Sequence, residues 1–207
     1  MKNTILALSL ILAHTAIASA KSTLALDTKA SSVQWTGSKI IGDSHTGTIQ
    51  ITSGMVQMDG QNLVGGEFTI DMNSINNTDL AKDPKGKAKL EGHLKSDDFF
   101  GVAKHPTAVF KISEVKPNTD KKMKHTHNIT GDLTIKGKTN KVTVPATIKM
   151  EKDKATAMAS FEIDRTLWDV KFGSKNFFEN LAGDRVINNN IKFDLNLVAQ
   201  TAAAQKK

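Results

Sequence analysis

Apolar and polar residues alternate with a period of two along most of this chain, the signature of half-buried β-strands. Residues 66–72 (GEFTIDM) place Phe68, Ile70 and Met72 on one face and Glu67, Thr69 and Asp71 on the other. Residues 107–115 set Phe110 and Ile112 against Lys111 and Ser113, and residues 127–136 set Ile129, Leu133 and Ile135 against Thr130, Asp132 and Thr134. Residues 141–150 carry Val142, Val144, Ala146, Ile148 and Met150 on one parity. Pro145 falls on the other, which predicts an edge or a bulge there. Residues 156–163 and 190–198 repeat the pattern with Ala157, Ala159, Phe161 and Ile163, then Ile191, Phe193, Leu195 and Leu197.

At the front, residues 31–40, with Val33 and Trp35, and residues 45–60 read as further strands, the latter turning at Ser53-Gly54. Gly42-Asp43, Asp59-Gly60, Lys136-Gly137-Lys138 and Glu151-Lys152-Asp153 supply hairpin turns. Eight or nine strands with few crossovers predict one all-β domain, largely antiparallel, closed on itself to remove its edges.

Helical signal is confined to residues 84–95. Asp83-Pro84 is an N-cap followed by proline at the first helical position, and Leu90 and Leu94 are i,i+4 partners. The irregular stretch 165–188 is long enough to mark a lid or rim.

The ends read differently from the body. Lys2, the apolar run from Ile5 to Ala13 and the Ala18-Ser19-Ala20 site make residues 1–20 an expected signal peptide, cleaved before Lys21. The expected location is therefore the periplasm, with a single domain over 21–200 and a disordered tail over 201–207. The chain has no cysteine, so no disulfide supports the fold.

The net charge of +7 falls to +6 without Lys2, and the excess lysines are scattered rather than interleaved with aromatics. Nucleic acid is accordingly not an expected partner. Transient contact with a membrane surface and a homodimer remain open.

No nucleophile–base set, phosphate loop or cofactor motif is present, and no catalytic residue, cofactor or metal is assigned. His125 and His127 share a strand face but lack a third ligand nearby. Asp97-Asp98 reads as an acidic cluster at a helix N-terminus. Asp164-Arg165 ends a strand, as a hydrogen-bonded corner or as a ligand contact.

Two features remain. The small residues Ala146, Ala157 and Ala159 on an inward face leave room in a barrel. Phe99-Phe100 and Phe177-Phe178 sit in the connections rather than in strands. Patterning admits both a solid barrel with aromatic plugs at its ends and a hollow one whose mouth the doublets line.

The run KLEGHLKSDDFFGVAKHPTAVFKISEV (89–115), followed by NITGDLTIKGKTNKVTVPATI (128–148), resembles the YceI-like, lipocalin-like polyisoprenoid-binding family. The likeness is carried by Leu94, Ser96, Asp98, Phe99, Phe100, Lys104, Pro106 and Phe110, then Thr130 to Ile135 with Gly137, then Ile163-Asp164-Arg165. Val33, Trp35 and Met72-Asn73-Ser74-Ile75 extend it over nearly all of 27–198.

The resemblance implies an extended eight-stranded antiparallel lipocalin-like barrel with short helical insertions. It also implies an exported carrier that sequesters a polyisoprenoid or fatty amphiphile in its lumen. Expected lumen residues are Trp35, Phe68, Ile70, Met72, Phe110, Ile112, Leu133, Ile135, Ala146, Ile148, Phe161 and Phe193. Expected rim residues are Leu94, Phe99, Phe100, Trp168, Phe177 and Phe178, with Arg165 meeting a polar or anionic headgroup. The alternative is a barrel that serves only as a scaffold for protein or surface contacts, without lipid cargo.

Overall fold

The computed structural model describes residues 21–151, 153–178 and 183–201. The expected signal peptide and all of the expected tail but Thr201 lie outside them. The described chain forms β1 (Lys21–Leu26), β2 (Ser32–Ser38), β3 (Ser44–Asp59), β4 (Asn62–Asn77), α1 (Pro84–Lys95), β5 (Thr107–Pro117), β6 (His127–Ile135), β7 (Lys138–Met150), β8 (Lys154–Asp164) and β9 (Asn190–Gln200). A 3-10 turn, Arg165–Trp168, follows β8, and a second spans Gly183–Arg185.

Every strand pairs antiparallel with its neighbours, in the order β3-β2-β9-β8-β7-β6-β5-β4, and β4 returns to β3. That closes an eight-membered barrel. β1 adds no ninth position. It pairs with the Met55–Asp59 half of β3 and the end of β9, whereas β2 pairs with the Ser44–Ile49 half of β3. β1 and β2 are therefore two lengths of one stave, broken at residues 27–31.

β3 departs from the sequence expectation. Ser53-Gly54 is not a turn; β3 runs unbroken through it and its register against β4 shifts between Ile51 and Ser53. Ile49 and Ile51 face inward before the shift, and Gly54, Val56 and Met58 after it. The extra residue is a β-bulge, which bends the strand and flips its parity. Gly54 stands there because a Cβ would come within 2.6 Å of the Phe68 ring.

Pro145 marks a related feature. Pairing between β7 and β8 runs only from Ala146 to Met150, so the two strands part at the proline. The Arg165–Trp168 turn packs beside the gap, with Asn140 Nδ2 donating to the Leu167 carbonyl (3.0 Å).

α1 matches the expected span. The Asp83 carboxylate accepts from the Gly86 N–H, Pro84 opens the helix and Ser96 ends it. Asp97 and Asp98 follow the helix C-terminus rather than opening a new helix. Asp97 instead pairs with Lys104 (2.6 Å) in solvent, and that contact lowers its pKa.

Apolar packing forms two clusters along the barrel axis. One, with Leu24, Leu26, Val56, Met58, Ile129 and Val144, packs the end that holds the β3–β4 turn. The other, with Trp35, Met72, Ile75, Val102, Trp168 and Ile191, lies toward the end that carries α1 and the 165–188 connection.

Candidate functional site: a lipophilic cavity with one polar margin

A cavity of about 410 Å³ runs through the barrel between these clusters, within the roughly 300–1,000 Å³ typical of ligand sites. Seventeen of the expected residues form its wall. They are Trp35, Phe68, Ile70, Met72, Leu94, Phe99, Phe100, Phe110, Ile112, Leu133, Ile135, Ala146, Ile148, Phe161, Arg165, Trp168 and Phe193. Phe177 and Phe178 do not line it. Their N–H groups both turn back to the Ser174 carbonyl, Ser174 itself is buried, and both rings point into solvent. The mouth-lining role expected of the second doublet is therefore not where the structure puts it.

The bore stays open because aromatic rings lie against the wall rather than across it. Trp35 is paired with Gly47, Phe68 with Gly54, and the Phe110 ring lies over Gly131. At each glycine a Cβ would fall between 2.2 and 2.6 Å from the ring or backbone beside it. The ring occupies the space the missing side chain leaves, and Ala146, Ala157 and Ala159 keep the facing wall thin.

Polar groups gather at the α1 end. Gly37, Ser38, Lys39, Asp43, His45, His93 and Asn188 all border the cavity there. His93 stands beside Leu94 on α1, a place from which it can reach the rim. The others were not expected from periodicity, because strand ends and turns carry no alternation. Gly37 is open on its inner side, with nothing within 4 Å of where a Cβ would stand. Gly37→Leu is therefore expected to fold normally and, by narrowing the mouth, to slow at least tenfold the entry of an apolar ligand into the cavity. Stopped-flow uptake of a fluorescent fatty amphiphile checks this, and an unchanged rate would place the opening elsewhere.

His45 donates through Nδ1 to Asp79 (2.8 Å), which also accepts from the Thr46 N–H and Asn77 Nδ2. Burial pushes the Asp79 carboxyl up, but the bonds from His45, Thr46 and Asn77 outweigh it and its pKa lies below the ordinary value of 3.8. Asn77 is fully buried, and its N–H donates to Glu91 of α1, so this network ties the helix to the start of β3 and the end of β4. A depressed carboxylate contributes stability that is complete above its unfolded pKa and lost as pH falls through the folded one. Melting temperature should thus drop as pH falls below about 4, and Asp79→Asn should remove part of that drop. Parallel acid limbs in thermal melts would contradict it.

His93 presents a different situation. Its ring is held edge-on by Phe99 (5.7 Å) and Phe172 (4.4 Å), and its Nε2 is buried without a partner.

Arg165 resolves the two readings of the strand-end pair toward the corner. It is 1% exposed, and its Nε, Nη1 and Nη2 donate to the carbonyls of Asn188 (3.1 Å), Val170 (2.6 Å) and Ile187 (3.3 Å). Its guanidinium also lies 5.3 Å from the centre of the Phe99 ring. Asp164 caps the following turn through Thr166 rather than pairing with the arginine. Burial lowers the Arg165 pKa to about 10, against the opposing charge of Asp164, so it remains a cation at neutral pH. The residue borders the cavity while fastening both ends of the 165–188 connection under Phe99.

A family model for the YceI-like domain matches residues 24–199. The chain belongs to the YceI-like family. Among its YceI-like relatives, a UPF0312 protein of Pseudomonas aeruginosa is 39% identical over 80 residues, 39% of this chain and 35% of its own. Protein YceI of Escherichia coli O157:H7 is 33% identical over 100 residues, 48% of this chain and 47% of its own. The alignments thus span between about a third and a half of these relatives.

Two solved structures share the fold. BcnA of Burkholderia cenocepacia superposes with a TM-score of 0.66 at 24% identity, over 84% of this chain and 99% of that one. A polyisoprenoid binding domain from Saccharophagus degradans gives 0.58 at 15% identity, over 86% and 98%.

Proposed function

We propose that this protein is an exported carrier that holds a polyisoprenoid or similar long-chain amphiphile inside the barrel, with its head toward the α1 end. The observation that carries this reading is the cavity itself: apolar along the barrel, with its polar side chains gathered at the α1 margin apart from Thr156 near the other end. The polyisoprenoid binding domain of the same fold supports the class of cargo. Each buried CH₂ contributes about 0.8 kcal/mol. Ten such units give about 8 kcal/mol before association costs, enough to make release slow. Burial alone does this work, and no covalent step is involved.

Periplasmic location belongs to the same proposal. It predicts that the exported protein begins at Lys21, which intact mass measures directly. The cargo is tested by purifying the native protein from periplasm, extracting it with organic solvent and analysing the extract by mass spectrometry. One stoichiometric long-chain amphiphile is the expected result. An empty extract, together with no saturable uptake by delipidated protein, would leave the barrel as a scaffold without cargo.

A further inference from the structure

Five large apolar side chains stand out into solvent at the polar margin of the cavity. Ile40, Ile41, Phe172, Phe177 and Phe178 are each between 42% and 65% exposed. The segments that carry them lie side by side. The Ile40 N–H donates to the Val186 carbonyl (2.9 Å), Asn188 N–H to Ser38 (2.8 Å) and Ile187 N–H to Gly173 (2.8 Å). Phe177 and Phe178 hang from Ser174 one turn further on. Folding has left them outside, while Val170 and Ser174 of the same connection are fully buried.

Cations flank these side chains. Lys39, Lys171, Lys175 and Arg185 belong to the same segments, and the Lys171 ammonium lies 4.7 Å over the Phe177 ring. Lys39 and Lys171 make exposed pairs with Asp43 (3.8 Å) and Asp169 (2.7 Å), contacts weak enough to exchange for other anions. All five apolar residues sit on turns or irregular backbone rather than on a strand or helix face that a partner's element could pack along.

Half-exposed aromatics at loop tips, flanked by lysine and arginine, suit the boundary of an anionic bilayer. There the rings reach the acyl region while the cations meet lipid phosphates. We propose that this margin docks the protein, mouth first, on the surface of an anionic membrane. A lipid tail could then pass between bilayer and barrel without crossing water. The purpose of docking rests on the carrier reading, but docking itself needs no cargo.

Flotation of delipidated protein with isoprenoid-free vesicles tests docking separately from cargo binding. Vesicles of phosphatidylcholine with about 30% phosphatidylglycerol should carry the protein at low salt, at least tenfold more than phosphatidylcholine alone. Phe177→Asp with Phe178→Asp should lose at least tenfold of that partition. Its melting temperature and its uptake of a fluorescent amphiphile from detergent should be unchanged, since neither ring lines the cavity. Phe177→Trp should shift its emission to the blue when anionic vesicles are added. Flotation unaffected by the double substitution would overturn the proposal. So would a blue-shifted Trp emission without vesicles that grows with protein concentration, because a second copy would then cover the patch.

Discussion

Replacing Arg165 with Met is expected to destabilise the fold by about 3 kcal/mol, lowering the melting temperature by roughly 6–12 °C for a chain of this size. Two effects oppose each other. Removing a buried cation that burial has already shifted to about 10 relieves a desolvation cost. Against that, the carbonyls of Val170, Ile187 and Asn188 lose their donor, and each unmet buried acceptor costs about 1–3 kcal/mol. The second effect wins because methionine fills the space but donates nothing. Arg165→Lys should recover little, since one ammonium cannot reproduce a planar fork reaching three carbonyls. A melting temperature within about 2 °C of the parent would show that Asp164 and Trp168 hold the corner unaided.

The second large effect concerns the lumen. Phe110→Asp is expected to weaken cargo retention at least 100-fold. Phe110 sits on the wall opposite Leu133 in register and beside Phe68. A carboxylate there must either desolvate against the apolar tail or draw water into the bore, and both oppose burial of a hydrocarbon chain. The variant also loses ring packing, so a gentler substitution accompanies it. Ala157→Phe puts a ring into the cavity from β8 with no charge and should weaken uptake at least tenfold while the circular dichroism spectrum stays unchanged. Retention of cargo by both folded variants would move the binding site out of the barrel.

Strand parity made most of the cavity wall legible in the sequence. Phe68-Ile70-Met72 and Ala157-Ala159-Phe161-Ile163 face inward because a closed barrel gives each strand a single apolar side. Pro145 was informative for a similar reason, since β7 loses its β8 partner there. The bulge in β3 was not legible, because Thr-Ser-Gly supports a turn and a bulge equally well and only Phe68 across the sheet decides between them. The collapse of β1 and β2 into one stave depends on pairing between distant residues, which local pattern does not encode. The polar margin of the mouth was missed because it is assembled from connections whose neighbours are fixed by backbone hydrogen bonds. The outward turn of Phe177-Phe178 was hidden for the same reason.

The rings laid over glycines imply that the bore can be regauged from behind. Gly54 and Gly131 do not line the cavity, yet a single methyl at Gly54 would press on Phe68 and tilt it toward the axis. Selection on cargo girth can therefore act on positions absent from any inventory of contact residues. Two such barrels with identical inner surfaces could then differ in what they admit.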